Sequence, residues 1–114
     1  MKGKFFTSEQ FAPETLPNGI VRTVKGYIGD LMVVELRWKK GMEGAVHTHP
    51  HRQCSYILKG VFEASLDGEK RMLGAGECIY IEAGVPHGML ARSEDGVLLD
   101  IFTPMREDFV RDPE

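Results

Sequence analysis

The chain has 114 residues, 42% of them hydrophobic and 27% charged, with a formal net charge of -3 and a pI near 5.8. That length fits one domain with one core, and a slightly acidic chain with scattered basic residues lacks the positive field that would hold a nucleic acid backbone. The N-terminal MKGKFFTSEQ carries too short an apolar stretch for a secretion signal or a membrane span. The expectation is a cytoplasmic protein in which Cys54 and Cys78, outside any CxxC pattern, are reduced thiols.

Residues 1–19 are mixed and hold Pro13, Pro17 and Gly19, so they are expected to wrap the domain ahead of a barrel over 20–103. The first clear element is Met32, Val34, Leu36 and Trp38, apolar on one parity, against Glu35 and Arg37 on the other. Period two marks a half-buried strand. Phe62, Ala64 and Leu66 repeat the pattern against Glu63 and Ser65, and Asp67-Gly68 then supplies a tight turn into Lys70 to Leu73, a hairpin signal. Glycines at 41, 44, 60, 68, 74, 76, 84 and 96 punctuate short strands, which points to an all-β sandwich or barrel. In Val97 to Phe102, Val97, Leu99 and Ile101 share one parity and Leu98, Asp100 and Phe102 the other. A tail over 104–114 follows, with Pro104 expected to open one helical turn through Phe109.

Three of the four histidines fall in HTHPH, as His47, His49 and His51; the fourth, His87, follows Pro86. On a strand, residues two apart project to one face, so His47 and His49 are expected to reach one metal together. Neutral imidazole is a common ligand for divalent transition metals. A curved sheet would be needed to bring His87 to the same ion. His51 shares the parity of the pair, but Pro50 disturbs the strand and the residue is expected on the surface.

These residues carry a resemblance. Gly41, His47, His49 and Gly60 match the first cupin motif, with Gln53 where a glutamate is usual; Gly76, Gly84 and His87 match the second, with Glu82 and Ala91 in place of the usual proline and asparagine. The resemblance implies a small single-domain cupin, a double-stranded β-helix or jelly-roll barrel spanning 1–114. It also implies one divalent metal ion (nickel, zinc, iron, manganese or cobalt) held by His47, His49, His87 and Gln53. Glutamine adds no charge, so the ion would keep its dipositive charge, favouring an anionic substrate and departing from the two-histidine, one-carboxylate iron arrangement.

An aspartate inside VLLDIF is costly to bury without a partner. Either that face meets solvent, or Asp100 and Phe102 line the barrel mouth with Arg106 placed to dock a carboxylate. HTHPHRQCSYILKG, GECIYIEAGVPHG and GVLLDIFTPMREDF are similar to the KdgF-type pectin-degradation cupins over about residues 20 to 110. That resemblance implies ring opening of 4,5-unsaturated monouronates, with Asp100, Phe102 and Arg106 as the pocket residues, a small anionic sugar acid as substrate, and a homodimer. Two other readings remain: a three-histidine iron dioxygenase, and a non-catalytic cupin that binds a sugar or a metal.

Overall fold

The computed structural model describes residues 2–110, so the last four residues of the expected tail, 111–114, lie outside the described residues. The strands are β1 (Glu14–Thr15), β2 (Val21–Ile28), β3 (Leu31–Lys39), β4 (Glu43–His47), β5 (Arg52–Lys59), β6 (Val61–Leu66), β7 (Glu69–Gly74), β8 (Cys78–Ile81), β9 (His87–Ala91) and β10 (Asp95–Thr103). They form two antiparallel sheets. The larger runs β1-β2-β3-β10-β5-β8 and the smaller β4-β9-β6-β7. The protein is all-β, and its two sheets enclose one interior in jelly-roll fashion. Among the described residues no helix is long and apolar enough to cross a membrane.

The alternation in β3 behaves as its sequence predicts: Met32, Val34 and Trp38 are buried. Asp67 and Gly68 both take positive φ, 48° and 88°, between Leu66 and Glu69, which pair across the turn. Two left-handed residues match the twist of a two-residue hairpin. Gly60, the last glycine of the first motif, is required for two reasons. Its φ is 87°, and a Cβ there would lie 2.4 Å from the Asp95 carbonyl oxygen and 2.5 Å from Ser93 Oγ. No side chain fits that crossing.

β10 is central, paired with β3 on one side and β5 on the other. The register sets rows of side chains on the inner face. Leu98 lies between Leu36 and Ile57, Asp100 between Val34 and Ser55, and Phe102 between Met32 and Gln53. One end of the interior is a dry core of Ile20, Trp38, Ile57, Phe62, Ala91 and Leu98, with Trp38 and Phe62 edge to face at 5.3 Å. At the other end the inward side chains turn polar. Beyond β10 the helical turn begins later than Pro104: a 3-10 turn spans Glu107–Phe109, and the Thr103–Pro104 peptide is cis. The turn folds back so that Phe109 packs on Phe102, ring centroids 5.6 Å apart.

Candidate metal centre

β4 and β9 bring two imidazoles together by a device that their periodicity does not reveal. Gly44 pairs with Met89 and His47 with His87, so Ala45 and Val46 stand opposite the single residue Gly88. A bulge of one extra residue reverses the facing of everything after it. Without it Gly44 and His47 would face opposite sides; with it both line the interior. Gly88 makes room for the bulge. A Cβ at that position would lie 3.0 Å from the Gly44 carbonyl oxygen and 3.1 Å from Val46 Cγ2.

His49 corrects the expectation of a shared strand. β4 ends at His47, and His49 sits in the link that crosses from one sheet to the other, tied by its carbonyl to the Gly84 N–H at 2.9 Å. The three rings nevertheless converge. His47 and His87 centroids are 4.4 Å apart, His49 and His87 4.7 Å, and one ring nitrogen from each of the three residues lies within 4.8 Å of the others. His51 is a second correction. It is half-buried rather than a surface residue, edge-on to His49 and Phe102, with a buried Nδ1 that has no partner among the described residues. The aromatic neighbours supplied by β10 and the crossing link cover it.

The hydrogen bonds prepare this cluster for a cation. The carbonyls of Ala45 and Val85 accept from Nδ1 of His47 (2.8 Å) and His87 (2.9 Å). A carbonyl can only accept, so each Nδ1 carries the proton and each Nε2 presents a lone pair. The Nε2 of His87 is buried without a partner among the described residues. An unsatisfied buried acceptor needs an explanation, and a metal is the simplest. Burial lowers the pKa of His49 and of His87, which keeps both neutral and able to ligate. His49 Nε2 lies 2.8 Å from Gln53 Oε1, a separation close to that of neighbouring ligands on one ion at roughly 2.0–2.2 Å bonds. The residues present fit a metal ion. Gln53, from β5, adds a carbonyl donor with no charge.

From Gln53 a polar chain runs along the inner face of the larger sheet. Gln53 Nε2 donates to Ser55 Oγ (2.9 Å), and Ser55 donates to Asp100 Oδ1 (2.5 Å). Ser55 has one hydroxyl proton, and giving it to Asp100 obliges its oxygen to accept from Gln53. That fixes the Gln53 amide with Oε1 toward the histidines. Asp100 is buried, 8% exposed, so its face does not meet solvent. Burial pushes its carboxyl up from the ordinary 3.8 to about 6, against the hydrogen bonds from Ser55 and Gln53 that favour the ionised form.

Asp100, Phe102 and Arg106 line one cavity of about 270 Å³ together with His47, Gln53 and His87. Arg106 donates from Nε and Nη2 to the two oxygens of Asp108 (2.9 and 2.7 Å), and its Cζ lies 4.3 Å from the Phe109 ring centroid. Among the cavity residues not assigned from the sequence are Ser55, Phe109 and Arg22. Ser55 shares the parity of Gln53 and Ile57, a signal that was available. Phe109 and Arg22 gave none, because the turn after Pro104 and the irregular alternation of Val21–Ile28 hide which way they face.

Comparison with known proteins agrees with this architecture. The cupin domain family matches residues 34–102. The "Pectin degradation protein KdgF" of Dickeya dadantii (strain 3937) is 35% identical over 108 residues, covering 94% of this chain and 98% of that protein. Among solved structures, KdgF from Halomonas sp. superposes with a TM-score of 0.89 at 33% identity, covering 96% of this chain and 100% of that one. An RmlC-like cupin from Shewanella frigidimarina NCIMB 400 gives 0.88 at 38% identity, covering 95% and 97%.

Proposed function

The chain belongs to the cupin family, with KdgF proteins among its relatives, and we propose that it opens 4,5-unsaturated monouronates from pectin or alginate breakdown into open-chain 5-keto-4-deoxyuronates. The observation that carries this reading is a buried carboxyl of raised pKa, Asp100, sharing one small cavity with Arg106 and with His47 and His87 of the three-imidazole cluster.

In such a substrate a C4=C5 enol ether adjoins the carboxylate, and C1 is a hemiacetal. Opening the hemiacetal breaks the bond between C1 and the ring oxygen, leaves an aldehyde at C1 and frees an enol at C5; protonation of C4 completes a net isomerisation. The C1 hydroxyl loses one proton and C4 gains one, so a single carboxyl can carry the balance. Asp100 fits that task, since a group near pH 6 exists in both forms close to neutrality. Ser55 holds one of its oxygens, leaving the other to meet the sugar. Arg106 docks the substrate carboxylate. Phe102, 2% exposed, packs against the ring and keeps water from the enol. A divalent cation at His47, His49, His87 and Gln53 would supply Lewis acidity with its full dipositive charge, because none of the four ligands is an anion.

We also place the protein in the cytoplasm, consistent with its two free cysteines. A homodimer is proposed as well, supported by exposed Tyr56, Leu58 and Tyr80 on the outer side of β5 and β8.

The test is metal analysis of the protein followed by incubation with lyase-generated unsaturated monouronates. Oxygen-independent loss of enol-ether absorbance is expected, with His87→Ala losing metal and turnover together. Oxygen consumption in step with turnover by iron-loaded protein would favour a dioxygenase, and binding without turnover a non-catalytic sugar site.

A further inference from the structure

Arg22 enters the cavity from β2, two strands away from β10 in the larger sheet. β2 pairs Arg22 with Leu36, and Leu36 belongs to the inward row with Leu98 and Ile57. The side chain is only 18% exposed, and it lines the same cavity as His47, Asp100 and Arg106. Its Cζ lies 3.9 Å from the Phe109 ring centroid, where Arg106 Cζ lies at 4.3 Å. Both distances are measured from one ring, so the two guanidinium carbons stand at most roughly 8 Å apart. Both arginines therefore border the part of the cavity wall that Phe109 forms, where a guanidinium can meet a carboxylate through charge-assisted N···O contacts of about 2.8 Å.

The two arginines are not equally occupied. Arg106 commits Nε and Nη2 to both oxygens of Asp108. Arg22 commits only Nη2, to Glu14 Oε1 at 2.8 Å, and its remaining N–H groups have no partner among the described residues. Because Arg22 lines the cavity, its spare donors are available to an anion bound there. Packing on Phe109 alone would not call for an always-charged, five-donor group.

We propose that Arg22 is a second carboxylate-positioning arginine of this cavity, acting with Arg106 to hold the acid group of a small sugar acid from the two ends of the chain. The proposal deepens the functional reading above and rests on its placing of an anionic sugar in this cavity. Glu14, from β1, keeps the guanidinium aimed inward, and Phe109 keeps it level with Arg106.

Calorimetric titration of metal-loaded protein with galacturonate and with its uncharged methyl ester separates positioning of the acid from mere packing. The wild type is expected to prefer the acid at least tenfold. Arg22→Gln weakens the acid tenfold or more and the ester less than twofold, with metal content unchanged. Arg22→Lys, which keeps the charge and its pairing with Glu14 but not the fork, falls between; a threefold acid-selective loss in that variant alone suffices if the glutamine variant does not fold. Equal losses for acid and ester, no loss for either, or a wild type indifferent to the charge overturns the proposal. If unsaturated monouronates are not turned over and the acid preference still depends on Arg22, linearisation fails and the arginine's role stands.

Discussion

The two ends of the barrel interior are built from the same strands and behave as opposites. Along β10 the inward residues run Leu98, Asp100, Phe102; along β5 they run Ile57, Ser55, Gln53; along β9 they run Ala91, Met89, His87. At the first end every inward group is apolar and packed. Further along, β10 presents Asp100, β5 presents Ser55 and Gln53, and β9, past Met89, presents His87; their partners are polar groups, and the Nε2 of His87 is left without one among the described residues. The fold keeps its stability at the closed end and gives some up at the open one: closing one end tightly lets the other carry buried polarity.

The largest stability effect of that division lies at the closed end. Phe62 is fully buried, edge-on to Trp38, and its ring packs on Gly96, where a Cβ would come within 2.5 Å of Phe62 Cζ. Phe62→Ala is expected to cost about 3–5 kcal/mol in denaturant unfolding, while the folded fraction binds metal as the wild type does. A variant that lost metal affinity in proportion to stability would show the two ends to be one unit.

At the open end the sign reverses. The unfolded chain holds the Asp100 proton at the ordinary 3.8, whereas the folded chain holds it to about 6. The folded state therefore binds this proton more tightly, so the stability it brings is present below about pH 4 and is lost as pH rises to 6. Two pH units correspond to about 3 kcal/mol. Asp100→Asn removes the penalty: metal-free protein should gain up to about 3 kcal/mol at pH 8 and little at pH 4. Turnover should fall by about 10²–10⁴ from loss of the proton carrier. Stability profiles that stay parallel from pH 4 to pH 8 would mean that Asp100 ionises without cost.

The closed end was far more legible in the sequence than the open one. Met32 to Trp38 and Phe62 to Leu66 alternate strictly, and Asp67-Gly68 names its own turn, because packing and local sterics leave a period in the residues. The identities of the polar groups were legible too, as His47, His49 and His87 with Gln53 fall at cupin spacing. What stayed hidden was direction. The bulge at Ala45–Val46 reverses His47 with no trace in the residue pattern, and His49 lies beyond its strand. The bulge in β2 between Val24 and Gly26 likewise blurs the facing of Arg22. Burial of His51 depends on Phe102, 51 positions away, which no local pattern records.

The smallest effect tests the bulge itself. Gly88 has an ordinary backbone conformation, so alanine is not excluded by φ; the obstacle is contact with the Gly44 carbonyl and Val46, each of which must yield by a few tenths of an ångström. Those two residues flank the turn that aims His47. Gly88→Ala should therefore leave stability within about 1 kcal/mol of the wild type and weaken metal binding by about tenfold, the loss expected when a ligand's support moves rather than the ligand. Competition with a chelator measures it. An unchanged affinity with unchanged stability would mean that the bulge tolerates a methyl group, and that the aim of His47 is set instead by its hydrogen bond to Ala45.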